Sequence, residues 1–578
     1  MSTAAVALLL VPLWPGLLAL VTLAFYRHRV GGLLAVLGTV PALTVSILHP
    51  PVQEASYPWL VLGTRLGVDE ADAVFLLGAA VVWFLASTFA YGWIPHQKGR
   101  ERFFALFLLT MSGNLGTLVA QDMPSFYAFF ALMSFAAYGL IAHKLTREAR
   151  HAANVYIALV VIGEGALALA LILASGSLGS NDFIDVRLGL ETLPLRHLII
   201  ALAFLGFGIK AGVLILHVWL PLAHPVAPAP ASAALSGTII VTGLVGWLRF
   251  LPVGEWALPA WGGGCVVLGL AAAFYAAIVG IDQREPKVVL AYSSISQMGI
   301  MTVAIGMILL EPGLSETLNV AIALFALHHG LAKSALFLGA GLARNGVNDR
   351  QRRWLVVGLS LPSLALTGAP LTSGVVAKST IIASEAALPG PWAEVIQVLL
   401  PLTSVATALL MTRFLVLVNR CPSEPKRQAG RQPWLSWCAS LVLVLLLPLW
   451  LMPSVGFSWS IPVLIDSLWP LGLALAVTLF AIWSWRRAGC PAIPEIPAGD
   501  VLMPMEHLTL VLRNRISATV ELLRPSRERI IRAAVAGQER AWNLVQITRH
   551  AEALLGRWRV ALILALLLGT VVALLAGS

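Results

Sequence analysis

Charge is what this 578-residue sequence has least of: Asp, Glu, Lys and Arg make up 11% of it, against 58% hydrophobic residues. Soluble globular chains carry roughly 25% charged residues, so a water-soluble domain of this size is excluded. Cysteine is equally scarce. Cys265, Cys421, Cys438 and Cys490 are scattered without C-x-x-C spacing, so neither a disulfide framework nor a metal cluster is suggested. No motif for nucleic acid, flavin, iron–sulfur clusters or nicotinamide is present, so neither a cofactor nor a redox active site is expected in this chain. The N-terminal stretch lacks a basic leader and a clear cleavage site, and its apolar run is expected to persist as a first membrane span.

What fills the sequence is apolar length. Mean hydropathy is +0.86, and run after run is long enough to cross a roughly 30 Å hydrocarbon core. These lie near 4–26, 30–49, 70–93, 103–120, 124–143, 153–177 and 198–219, then 231–252, 260–282, 288–310, 318–343, 354–389 (interrupted), 393–419, 433–453 and 460–486. The expectation is an all-α polytopic membrane protein with about 14–16 transmembrane helices. The net charge of +10 sits largely in connections and towards the C-terminus, which fits cytoplasmic loops and lipid headgroups rather than nucleic acid.

Two runs are broken. From Lys210 to Ser236 the sequence reads KAGVLILHVWLPLAHPVAPAPASAALS, where Pro221, Pro225, Pro228 and Pro230 are expected to break the helix. Irregular backbone at membrane depth is tolerated only where protein or a wet cavity satisfies it. Between Leu361 and Lys378, LPSLALTGAPLTSGVVAK repeats the theme with Gly368, Pro370 and Gly374. Two broken helices, one in each half, suggest structural repeats around midplane sites. The stretch 503–557 is different, with apolar residues at helical spacing against Arg and Glu; it reads as an amphipathic helix, kinked or joined at Pro525, lying along the membrane interface. Val560 to Ala576 then reads as a last span.

Ionisable residues inside apolar runs are costly and functional by default. Glu164, in VVIGEGALALA, reads as a structural ion pair or as a protonation site. Lys210 ends the apolar approach Leu198–Ile209, where an ammonium deprived of water readily exchanges its proton. His217, two helical turns later, is expected on the same face, with His224 close by. Lys287, after GIDQREP, reads as a path residue or as an interfacial lysine at a helix start. His329 and Lys333, four apart in ALHHGLAKSALFLGAG, stack on one helix face beside His328, and such a pair holds at most one charge at a time. Lys378 follows the second break and reads as the end of a path or as a snorkelling lysine. Arg249, Arg284 and the trio Arg350, Arg352 and Arg353 read as loop-side topology signals.

In chain order these stretches resemble the antiporter-like proton-translocating subunits of respiratory complex I, membrane-bound hydrogenases and multisubunit cation/proton antiporters. Lys210 to Ser236 is similar to that superfamily's lysine-bearing broken helix with its HxWLPxAHPxAPxPxSAxLS continuation, DQREPKVVLAYSSISQMG to its K-then-AYSSISQ segment, HHGLAKSALFLGAG to its H-xxx-K helix and GAPLTSGVVAK to its second broken helix. The similarity covers about 100–420, and the hydrogenase-type or distal complex I branch is the nearest in feel. The resemblance implies N-terminal helices over 1–100, inverted five-helix repeats within 101–255 and 256–420, further helices over 421–500, and a lateral helix with its anchor over 501–578. One departure stands out: where the family's FFELMS motif has a glutamate that pairs with the broken-helix lysine, this chain has YAFFALMSFAAYGLI, with Ala131 in that place. Glu164, one helix later, is the candidate to face Lys210 instead.

The expected function is a proton-translocating subunit of an NADH/quinone oxidoreductase-like or hydrogenase-like complex, set among other membrane subunits in a bacterial inner membrane. The expected path comprises Glu164, Lys210, His217, Lys287, His329, Lys333 and Lys378, with His224 and His328 as secondary candidates. Two other readings stay open. One is a sodium/proton antiporter subunit or a proton channel energising inorganic carbon uptake; the other is a non-conducting scaffold.

Overall fold

A computed structural model describes residues 2–500 of the chain except 26–27, 49–52, 95–98, 346, 422–428, 455 and 489–495. The amphipathic stretch 503–557 and the last apolar run lie outside the described residues. The chain divides into two compact units, residues 1–56 with 65–498, and residues 57–64 with 499–578. The described part of the second is a turn, in which the Leu60 carbonyl accepts from the Gly63 and Thr64 N–H groups at 2.9 and 2.8 Å.

The first unit is helical, with one small sheet of β1 (Gln53–Tyr57) and β2 (Thr64–Val68) among its described residues. It opens with α1 (Thr3–Ala24), α2 (Gly31–Leu37) and α3 (Val40–Leu48). Next come α4 (Glu70–Trp93), α5 (Arg100–Val119), α6 (Met123–Ile141), α7 (Arg147–Leu178) and the short α8 (Phe183–Gly189). Their starts are written in the sequence: Asp69, Asp122 and Thr146 each accept from the backbone N–H three residues on, satisfying a donor that has no partner within the helix. The first broken region comprises α9 (Arg196–Ala211), α10 (Trp219–Val226), α11 (Ala229–Ala234) and α12 (Val241–Phe250). It is followed by α13 (Pro259–Asp282), α14 (Pro286–Leu310) and α15 (Ser315–Ala343). The second broken region is α16 (Asp349–Thr367) and α17 (Ser373–Ala383), and α18 (Trp392–Arg420), α19 (Arg431–Ser454) and α20 (Ile461–Ala488) complete the series.

Fourteen stretches among the described residues are long and apolar enough to cross a membrane, and the chain is an integral membrane protein. α14 is buried along its whole length. It packs against α10, α13, α15 and α18, and so forms the axis of the site described below.

Successive spans reverse direction, so the connections alternate between two ends of this unit. At one end Arg100 donates to the Arg29 carbonyl, Arg102 to the His143 carbonyl, Arg344 to Glu285 and Arg352 to the Val418 carbonyl. At the other, Asp122 pairs with Asp182 through a backbone bridge, and Glu255, Glu311 and Glu385 occupy the connections. One end is basic and the other acidic.

Two expectations are corrected here. Pro221 and Pro225 do not break the helix: both lie within α10. Pro221 falls in the first turn, where its missing N–H has no helical partner to lose. The chain breaks instead at Gly212 to Ile215, where φ is +70° and +78°, and at the extended Ala227–Pro228 pair. Arg249 is not a loop-side signal. It is buried at 8% exposure, ion-paired to Asp72 at 2.8 Å, and donates to the Thr117 and Leu118 carbonyls, closing the C-terminus of α5.

Candidate functional site

Lys210 is the penultimate residue of α9 and is 2% exposed. Its ammonium donates to Tyr156 Oη on α7 at 3.1 Å, and that hydroxyl donates to the Ser134 carbonyl on α6 at 3.1 Å. The Phe130 and Tyr156 rings lie 5.3 and 5.2 Å from the nitrogen, and their faces attract the cation. The opposite charge that acts on it is Glu164, buried on α7. Gly163, next to Glu164, and Gly206 let α7 and α9 touch: a Cβ on Gly206 would lie 2.9 Å from the Gly163 carbonyl oxygen. Neither carboxylate oxygen of Glu164 has a hydrogen-bond partner among the described residues.

His217 does not share a helix face with Lys210, because α9 ends at Ala211 and the chain turns before it. His217 sits in a short 3-10 turn, Leu216–Val218, with its ring against Tyr275 of α13 and Tyr292 of α14. The carbonyl of Ile209, freed by the break, accepts from the Trp219 indole at 2.8 Å. The histidine therefore faces the later helices.

Lys287 lies at a helix start, as one reading had it, and is buried in protein at 5% exposure. From the first turn of α14 its ammonium reaches the Ala227 carbonyl at 2.8 Å and Ser232 Oγ at 3.4 Å, capping the gap between α10 and α11. His224 lies fully buried, stacked on Phe337 of α15 at 4.5 Å, and feels the charges of both Lys287 and Lys333. Its two ring nitrogens have no protein partner among the described residues.

His329 and Lys333 share α15, as their spacing requires, but they reach different partners. Lys333 donates to the Leu290 carbonyl at 2.9 Å, while His329 Nε2 meets the Ser236 carbonyl at 3.3 Å. Ser294 closes the loop by donating to the same Leu290 carbonyl at 3.0 Å and meeting Ser236 Oγ at 2.6 Å. Ser236 lies in a π turn, Leu235–Ile239, whose extra residue shifts the register. Asn114 on α5 fixes that turn by accepting from Thr238 at 2.8 Å and from Trp83 at 2.7 Å.

His328 bonds Ser373, the first residue of α17, at 2.7 Å and feels the charge of Lys378. The second break runs over Gly368 to Thr372, with φ of +79° at Gly368 and +63° at Leu371. Lys378 reaches back to the Thr367 carbonyl at 3.4 Å and across to Ser404 Oγ on α18 at 3.0 Å. It is 6% exposed, held at the break where α16 ends.

The nine path and secondary candidates are all buried, eight of them in two groups, with His217 apart from both against Tyr275 and Tyr292. Glu164 and Lys210 form one; Lys287, His224, Lys333, His329, His328 and Lys378 follow one another in the second. Tyr156, Asn114, Ser373 and Ser404 were not anticipated. Lone polar residues in apolar runs give only a faint signal, although Ser236 and Ser294 stand inside the segments quoted above. Among the described residues no group of three or more His, Cys, Asp or Glu is gathered as a metal site.

Residues 120–403 match the family model described as "NADH:quinone oxidoreductase/Mrp antiporter, TM". "Hydrogenase-4 component B" of Escherichia coli (strain K12) is 26% identical over 344 residues, 56% of this chain and 51% of that protein. The chain thus spans about half the length of such a relative. A chain in the "Structure of Mrp complex from Dietzia sp. DQ12-45-1b" superposes with a TM-score of 0.74 at 21% identity, covering 99% of this chain and 63% of that one. One in the "Structure of the membrane-bound sulfane sulfur reductase (MBS), an archaeal respiratory membrane complex" gives 0.66 at 21% identity, covering 80% and 96%. At that identity the two structures establish the fold.

Proposed function

We propose that this chain, whose residues 120–403 match the NADH:quinone oxidoreductase/Mrp antiporter transmembrane family model, is a proton-translocating subunit of a larger membrane complex, redox-driven or hydrogenase-like. The observation that carries this reading is the buried succession Lys287, His224, Lys333, His329, His328 and Lys378, in which the charge of one member bears on the next. A static scaffold has no use for three desolvated ammonium groups, since each is costly in a low dielectric.

Water completes the route. Ser293, Ser296, Gln297, Ser334, His224, His328 and His329 each bury a polar atom with no protein partner among the described residues. Buried polar atoms are ordinarily hydrogen-bonded, so water is the partner these atoms call for, and water between histidine and lysine carries protons. Like charges at neighbouring sites disfavour one another, so a proton arriving on one lysine helps to expel that on the next. Glu164 and Lys210 act as the switch: separation or approach of this opposite-charge pair sets whether Lys210 holds its proton. Lys and His, rather than a carboxylate-rich cavity, favour protons over sodium.

The basic end would face the cytoplasm under the positive-inside rule, which sets Lys287 towards the inner face. The reading further comprises two inverted repeats over 101–255 and 256–420, the bacterial inner membrane as location, and redox cofactors held by partner subunits. The test is proton flux in sealed vesicles carrying the intact complex, comparing the native chain with Lys210→Ala and Lys333→Ala. Loss of flux with assembly retained is the expected result; unchanged flux in both variants overturns the proposal in favour of a scaffold.

A further inference from the structure

Beside Lys378 the structure holds a cavity of about 480 Å³, walled by α17, α18 and α20. At roughly 30 Å³ per molecule it has room for on the order of ten waters. Lys378 and Ser379 line it from α17, Gln397 and Ser404 from α18, and Asp466 and Ser467 from α20; Glu385 lines it from the turn after α17. Its titratable lining groups are thus one buried ammonium and two carboxylates.

The position of these carboxylates is informative. α17 runs from the second break towards the acidic end of the unit, and Glu385 follows its last turn. Asp466 is the lone charge in Ile461–Trp485, a stretch otherwise apolar enough to span a membrane, and it is exposed. A carboxylate so placed requires water or a partner charge. One Glu385 oxygen is buried without a protein partner among the described residues, and burial holds this carboxyl above its usual range. Asp466 also lies outside residues 120–403, so the family match says nothing of it.

We propose that this cavity is the outer vestibule of the path, in which Glu385 and Asp466 receive protons that Lys378 releases across Ser404. The step moves one proton and no electrons. The N–H bond of the Lys378 ammonium breaks, leaving a neutral amine; an O–H bond forms on a carboxylate oxygen, and the resulting acid passes its proton to water at the outer face. Ser404, already 3.0 Å from the ammonium, accepts from it and hands on its own hydroxyl proton.

This inference rests on the proton-translocating reading, and the test separates the two. In sealed vesicles carrying the intact complex, flux is compared for the native chain, Lys333→Ala, and the double variant Glu385→Gln with Asp466→Asn. The expected result is a several-fold fall in both variants with assembly intact. Loss with Lys333→Ala but native flux in the double variant overturns the vestibule and spares the wider reading; native flux in both overturns the two together. An accessibility measurement stands apart from any effect on folding: Ser467→Cys, in a chain with its four cysteines changed to serine, is treated with a membrane-impermeant thiol reagent from either side. Labelling from the outer side alone supports the vestibule, and labelling from the inner side, or from neither, overturns it.

Discussion

The Lys287 ammonium donates to the Ala227 carbonyl across 2.8 Å, so that a charge from the start of α14 closes the backbone gap between α10 and α11. The same group therefore serves the fold and the proposed path. Lys287→Met leaves the carbonyl buried and unsatisfied, which costs about 1–3 kcal/mol. The expected outcome is a lower melting temperature of the purified complex together with loss of proton flux. A variant that melts at the native temperature contradicts the capping role.

In the proposed function Glu164 takes the part of the acid absent at Ala131. Glu164→Gln keeps the shape and removes the charge that acts on Lys210. Flux is expected to fall as far as in Lys210→Ala, and Ala131→Glu added to Glu164→Gln is expected to restore part of it. Native flux in Glu164→Gln would show that Lys210 needs no carboxylate.

Gly374 opens α17 against the end of α16, and a Cβ there would lie 1.8 Å from the Ala365 carbonyl oxygen. Backbone cannot yield as a side chain can. Gly374→Ala is expected to exceed the about 1–3 kcal/mol of ordinary overpacking and to prevent assembly, read as loss of the subunit from the complex on a native gel.

Arg249 and Asp72, each about 9% exposed at the side chain, form a buried pair at the acidic end. Removing one partner strands the other, at a cost of about 3–5 kcal/mol. Arg249→Met is expected to lower the melting temperature markedly, and Asp72→Asn on the same chain to recover part of the loss. Additive losses in the double variant would show that the pair is not coupled.

Much of this was legible without coordinates, and for a plain reason. In a membrane a buried charge is so costly that its presence in an apolar run is already a statement about function, and Lys210, Lys333 and Lys378 declare themselves in this way. The His329–Lys333 spacing held because α15 is a continuous helix. The His217 spacing failed because α9 is not: periodicity projects a face only as far as the helix runs.

The sequence by itself determined the apolar spans, the presence of two breaks, the ionisable residues within them and the family they resemble, because each depends on local composition and spacing. Only the tertiary structure decided what each group meets. That Arg249 finds Asp72 across 177 positions, that Lys287 caps Ala227 and that Ser236 joins His329 to Ser294 are consequences of helices packing side by side. A hydrogen bond is made by atoms within about 3 Å, and proximity between distant residues exists only once the bundle has closed.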